Sequence, residues 1–163
     1  MKKISTAKLI KMLSSKSHLK RMQATTLLST YDEKAVPSLL KVLGTPGSNI
    51  KQWSIRWYAA VALSWIGYKA IPFLSRSLLQ DKDWHIRAGS AELFGMLRRE
   101  EGIPYLVKAL DDEHFKVRKY SIFALRRIGK LNSSIIKQIQ TMAQGDLHKE
   151  VREIARETLN KIK

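Results

Sequence analysis

Hydrophobic positions along this chain recur at helical spacing and nowhere alternate, so each periodic segment is expected to be a helix. The pattern itself repeats. A branched apolar residue followed by arginine occurs at Ile55-Arg56, Ile86-Arg87, Val117-Arg118 and Val151-Arg152, and the arginines step by 31, 31 and 34 residues. With each arginine as position zero, small or apolar residues fall at −1, +3, +6, +7 and +10: Ile55, Ala59, Ala62, Leu63 and Ile66, then Val117, Ser121, Ala124, Leu125 and Ile128. At about 100° per residue these five make one stripe along a helix, the predicted core face. The same stripe reads Ile86, Ser90, Leu93, Phe94, Leu97 and Val151, Ala155, Thr158, Leu159, Ile162.

A second anchor keeps the same beat. Val36-Pro37, Ile71-Pro72 and Ile103-Pro104 each stand at a helix start, where the missing N–H and fixed φ of proline are tolerated. Gly67 and Gly129 follow two of the arginine-bearing helices, the place of a left-handed terminating residue. A first unit is inferred from Leu19-Lys20, with Leu27 at its +7 place and Gln23 and Thr26 as polar exceptions, and is read as an atypical amino-terminal cap. The expectation is an all-α fold, an α-α superhelix or solenoid of about five helical hairpins, in one repeat domain over 1–163 with units at about 5–31, 33–67, 68–98, 99–129 and 130–163. The stretch Gly44-Thr45-Pro46-Gly47-Ser48-Asn49 lengthens the turn inside the second unit.

An acidic turn, then Val/Ile-Arg, then small and apolar residues at fixed spacing, as in Asp81-Lys82-Asp83-Trp84-His85-Ile86-Arg87 and Asp111-Asp112-Glu113-His114-Phe115-Lys116-Val117-Arg118, resembles the HEAT repeat, in particular its short PBS-lyase HEAT-like form. The resemblance runs over nearly the whole chain. It implies helix pairs stacked in a right-handed superhelix with the second helices on the concave face. It also implies a structural ladder joining Arg87, Arg118 and Arg152 to Asp81, Asp111 and Asp146.

Charge narrows the class of partner. Thirty Lys and Arg against 14 Asp and Glu leave +16, a field that favours an acidic protein or peptide surface, with nucleic acid as the alternative. The basic residues are densest near the start, at Lys2, Lys3, Lys8, Lys11, Lys16, Lys20 and Arg21. With no cysteine there is no disulfide or thiolate chemistry, which fits a cytoplasmic protein. Lys8 and Lys11 interrupt the apolar stretch a signal peptide would need, and no run approaches the roughly 20 apolar residues of a transmembrane helix.

Positions +1, +5, +8 and +12 point away from the core stripe, with +2 and +9 beside them. They bring forward Trp57, Tyr58, Val61 and Trp65 in the second unit, Arg99 in the third, and Lys119, Phe123, Arg126 and Arg127 in the fourth as candidate binding residues. Aromatic and basic side chains there suit an interface, and Trp57, Glu92 and Phe123 are expected along one shallow track. The basic amino-terminal stretch and the 44–53 segment are the alternative surfaces. Nucleotide-binding, serine-hydrolase and zincin motifs are absent, and the histidines at 18, 85, 114 and 148 mark repeated turns, so neither metal nor cofactor is expected. Two enzymatic alternatives come from the resemblance alone: an alkylpurine DNA glycosylase, in which Glu92 would be the catalytic carboxylate, and a phycobilin lyase component. The leading expectation is a non-catalytic binding or scaffold module.

Overall fold

Helix ends recur nine or ten residues after the arginines, at Ile66, Leu97, Ile128 and Lys161. The computed structural model describes residues 4–45 and 49–162, the side chain of Ile50 apart, so Pro46, Gly47 and Ser48 of the long turn and Lys2 and Lys3 lie outside the described residues. Ten α-helices follow one another among the described residues: α1 (Thr6–Met12), α2 (His18–Thr30), α3 (Val36–Leu43), α4 (Ile50–Ile66), α5 (Ile71–Gln80), α6 (Trp84–Leu97), α7 (Ile103–Lys108), α8 (Phe115–Ile128), α9 (Ser133–Gly145) and α10 (Lys149–Lys161). No strand occurs among the described residues. This is the all-α solenoid class of fold. No described helix is long and apolar enough to cross a membrane.

Side chains close the helix starts. Ser17, Asn49, Asp83 and His114 accept hydrogen bonds from backbone N–H groups in the first turns of α2, α4, α6 and α8, each worth about 1 kcal/mol. The ends are marked by left-handed residues: Asp32, Gly67, Arg98 and Gly129 have φ of 56°, 70°, 49° and 82°. Each lies eleven positions after an arginine, namely Arg21, Arg56, Arg87 and Arg118. The zero of the first unit is therefore Arg21 and not Lys20. In the shifted frame Ala24 and Leu28 take the +3 and +7 places and are fully buried, while Gln23 and Thr26, polar exceptions under the other frame, are exposed.

The helices gather into two compact units, residues 1–74 and 75–163, with the boundary inside α5. In the first, α2 packs on α4, and α1 and α3 pack on each other and on these. In the second, α8 lies between α6 and α10, with α7 and α9 covering α8 and α10. The predicted stripe forms the core: Ala59, Ala62 and Leu63 in the first unit and Leu93, Phe94, Val117, Ala124, Leu125, Val151 and Ala155 in the second are at most 1% exposed. Each large side chain so buried stabilises the fold by roughly 1.5–3 kcal/mol. Ile162, predicted on the stripe, is 40% exposed because α10 ends at Lys161.

Small residues let α6 and α8 approach closely. A Cβ on Gly95 would stand 2.8 Å from the Ala124 Cα, so only glycine fits there. Gly95 and Ala88, both on the predicted outward side of α6, are buried in consequence. The neighbouring helix, and not the core stripe alone, decides which side chains reach solvent.

Candidate binding surfaces

Within residues 75–163 the turns are joined by arginine. The Arg87 Nε and Nη2 donate to the two Asp112 carboxylate oxygens at 2.8 and 3.0 Å, and Nη2 also reaches Glu113 at 3.0 Å. Arg118 repeats the fork on Asp146, at 2.8 Å for both bonds. The opposite edge of each guanidinium holds its own turn: Nη1 donates to the carbonyls of Asp81 and Lys82 from Arg87, of Asp112 and Glu113 from Arg118, and of Asp146 and Leu147 from Arg152. Of the ladder expected from the resemblance, Arg87 and Arg118 bridge to an aspartate, while Arg152 holds only its own turn, and one acceptor needs correction. The acceptor for Arg87 is Asp112, six residues before Arg118 as Asp81 is before Arg87, whereas Asp111 accepts from Gln138.

These pairs are largely dry, with Arg118 and Asp146 side chains 13% and 6% exposed. Burial pushes the Asp146 carboxyl up, but the Arg118 hydrogen bond, the His148 N–H and the charges of both residues outweigh it and leave the carboxyl below its ordinary value. Beside the ladder runs a stack of rings from the turn residues, which helical spacing does not reveal. Trp84 lies 3.8 Å from His114, and Phe115 4.1 Å from His148, each pair nearly parallel, with the Lys116 ammonium 5.0 Å over Trp84. Burial lowers the His114 pKa, and its Nδ1 accepts from the Lys116 N–H to cap α8.

The candidates in this unit are mostly engaged. Phe123 is half-buried under Arg126 and Arg127, whose guanidinium carbons lie 5.1 and 5.6 Å from its ring centre. Arg126 also donates to Glu157 at 3.3 Å and Lys119 to Glu150 at 2.7 Å. Arg99 follows the left-handed Arg98 and so lies past the end of α6, where a helical angle no longer applies. Glu92 is exposed on α6. No group of three His, Asp or Glu side chains among the described residues is placed to hold a metal ion.

Residues 1–74 present a different surface. Along α4 and just beyond it Trp53, Trp57, Trp65 and Tyr68 are 59%, 47%, 51% and 67% exposed, and Trp53 stacks on Trp57 with ring centres 5.8 Å apart. At helical spacing the three tryptophans and the half-buried Val61 share the face of α4 opposite its core stripe, while Tyr68 lies in the turn after Gly67. Trp53 was not among the predicted site residues, because the 44–53 segment reads as a loop and α4 in fact begins at Ile50. Tyr58 leaves the set: it is 7% exposed, its hydroxyl lies 2.7 Å from the His18 Nδ1, and Arg21 lies over its ring. It fills the seam between α2 and α4. Trp57 and Trp65 thus belong to residues 1–74 and Glu92 and Phe123 to residues 75–163.

A family model for HEAT repeats matches residues 6–95, 51–126 and 71–160. No curated protein matches the chain in sequence. Solved structures of similar fold include a chain in the complex of CpcE and CpcF of phycocyanin lyase from Nostoc sp. PCC7120, with a TM-score of 0.60 and 20% identity, covering 94% of this chain and 96% of that one. At that identity the likeness is one of fold.

Proposed function

Since the chain belongs to the HEAT repeat family, we propose that it is a non-catalytic binding and scaffold module whose partner is a protein with an acidic segment. The observation that carries this reading is the face of α4. Three exposed tryptophans and a tyrosine stand on a unit that holds twelve Lys and Arg against only Asp32 and Glu33. Large exposed apolar side chains gain little in water and much under a partner, and Trp, Tyr and Arg dominate interface energetics. The phycocyanin lyase structure is itself a complex of two chains, which accords with a protein partner. Fold likeness alone does not carry a lyase activity across, and the same holds for a glycosylase role at Glu92.

The test is capture of partners from the native cell by the wild-type chain, by Trp53→Ala with Trp57→Ala, and by Lys41→Glu with Lys51→Glu, both exposed in the same unit. The tryptophan variant is expected to lose the partner at every salt concentration and the lysine variant to weaken it mainly at low salt, since screening acts on charge and barely on apolar burial. Equal capture by all three chains would remove the reading. The excess of basic residues beside a stacked tryptophan pair also favours a second reading, single-stranded nucleic acid. Titration of single-stranded and duplex DNA at two salt concentrations separates the two, because phosphate binding weakens steeply with salt.

A further inference from the structure

Arg21 is built like the ladder arginines and lacks what they hold. Its Nη1 donates to the Ser15 and Lys16 carbonyls at 2.7 and 3.0 Å, the same two places, six and five residues upstream, that Arg87, Arg118 and Arg152 use. The other edge differs. In Arg87 and Arg118 the Nε and Nη2 grip an aspartate of the next unit, whereas the Arg21 Nε is buried and has no hydrogen-bond partner among the described residues.

The cause lies in α4. The other second helices start three residues before their arginine, but α4 starts six before Arg56. An added helical turn therefore stands where the next unit would supply its acidic turn, and no aspartate occupies it. Beside Arg21 there is instead a cavity of about 560 Å³, lined also by Ser15, Lys16, Lys51 and Ser54 and, among the described residues, by no acidic one. Arg21 is held for the task by two carbonyls and by the Tyr58 ring 5.1 Å away.

We propose that this cavity takes a carboxylate side chain, Asp or Glu, from a partner polypeptide, which docks on the Nε–Nη2 edge of Arg21 as Asp112 and Asp146 dock on Arg87 and Arg118. The chain's own ladder shows which anion that edge accepts. The cavity lies within the range of about 300–1,000 Å³ typical of sites that bury a small ligand, large enough for an acidic residue together with its flanking backbone. Lys16 and Lys51 add positive charge at the rim, and a buried donor left unpaired gains most from an ionised acceptor. The inference rests on the acidic-partner reading above and makes it specific to one site.

The experiment follows the arginine Nε–H signals of the ¹⁵N-labelled full chain by NMR during titration with hexaglutamate, hexaglutamine and inorganic phosphate. Arg21→Lys, which deletes one signal, assigns Arg21. Hexaglutamate is expected to move that signal saturably while hexaglutamine and phosphate leave it, and Lys16→Glu with Lys51→Glu, both exposed residues, is expected to weaken the effect at least tenfold. A signal that hexaglutamate leaves in place overturns the proposal. A signal that phosphate moves as strongly also overturns it and reassigns the cavity to an inorganic oxyanion. If the tryptophan variants lose the partner while the Arg21 signal stays fixed, the binding reading stands and this site falls; the opposite pair of results keeps the site and removes the tryptophan face.

Discussion

Arg21 and Arg118 secure their own turns in the same manner, and the difference between the two halves of the molecule begins at the other edge of the guanidinium. In residues 75–163 that edge meets Asp146, Lys119 and Arg126 meet glutamates, and Phe123 lies under arginines. In residues 1–74 the matching edge meets no acid, and four aromatic rings of α4 and the turn after it face solvent. One extra helical turn in α4 produces the first contrast by removing the acidic turn. The lesson is that a repeat can be converted from self-sufficient to receptive by changing where one helix starts.

The contrast breaks most visibly by deleting the two arginines. Arg118→Ala strands Asp146 without its cation and is expected to cost about 3–5 kcal/mol in urea unfolding. Arg21→Ala loses its two carbonyl bonds and its contact with the Tyr58 ring, strands no acid, and should cost about 2 kcal/mol. Equal losses would mean that Arg21 already has a strong acceptor. The seam between second helices gives a smaller effect. Gly95→Ala forces a methyl against Ala124 and is expected to cost about 1–3 kcal/mol, whereas Ser64→Ala, at the same place on α4, should stay within about 0.5 kcal/mol.

Helix ends sharpen the comparison further. Arg98→Gly relieves a left-handed conformation and should stabilise by about 1 kcal/mol. Asp32→Gly relieves the same conformation but loses the bond to Lys69, so its gain should be smaller. The smallest effect is in pH. His114 is held below its ordinary value of 6.5, so the unfolded chain takes up a proton first, and stability is full above that value and lost as pH falls through the lower folded pKa. Protonation at Nδ1 also removes the α8 cap, worth about 1 kcal/mol. His114→Asn, which caps without titrating, should flatten the dependence of melting temperature on pH between 7.5 and 5, a window set by the ordinary histidine value of about 6.5.

The fold was readable because the stripe at −1, +3, +6, +7 and +10 records burial directly: Ala59, Leu63, Val117 and Leu125 are all in the core. The first unit was misframed because Leu19-Lys20 imitates the apolar-basic anchor. Its true zero could have been found from Ser15-Lys16-Ser17, six residues before Arg21 as Asp81-Lys82-Asp83 is before Arg87. Surface residues were harder to place. Angle around one helix does not say how near the next helix stands, so spacing alone sets Tyr58 on a surface although it fills a seam, and reads Trp53 as loop although α4 begins at Ile50. The Arg21 cavity depends on the absence of an acid from another unit, which no single stripe displays.

The join between Arg87 and Asp112 also bears on how such a chain can lengthen. Asp112 and Asp146 each accept from the arginine one repeat earlier, so a tandem copy of residues 81–111 inserted after Asp111 would set the duplicate of Asp81, six residues before its own arginine, against Arg87 and the duplicate of Arg87 against Asp112. Shape is less permissive. The original Gly95 would then face the duplicate of Leu93 in place of Ala124, and the isobutyl group has no room where a methyl is already tight. Gene duplication is thus electrostatically free and sterically charged: neighbours are chosen by the size of the side chain at a single place, and the order of the units is written there.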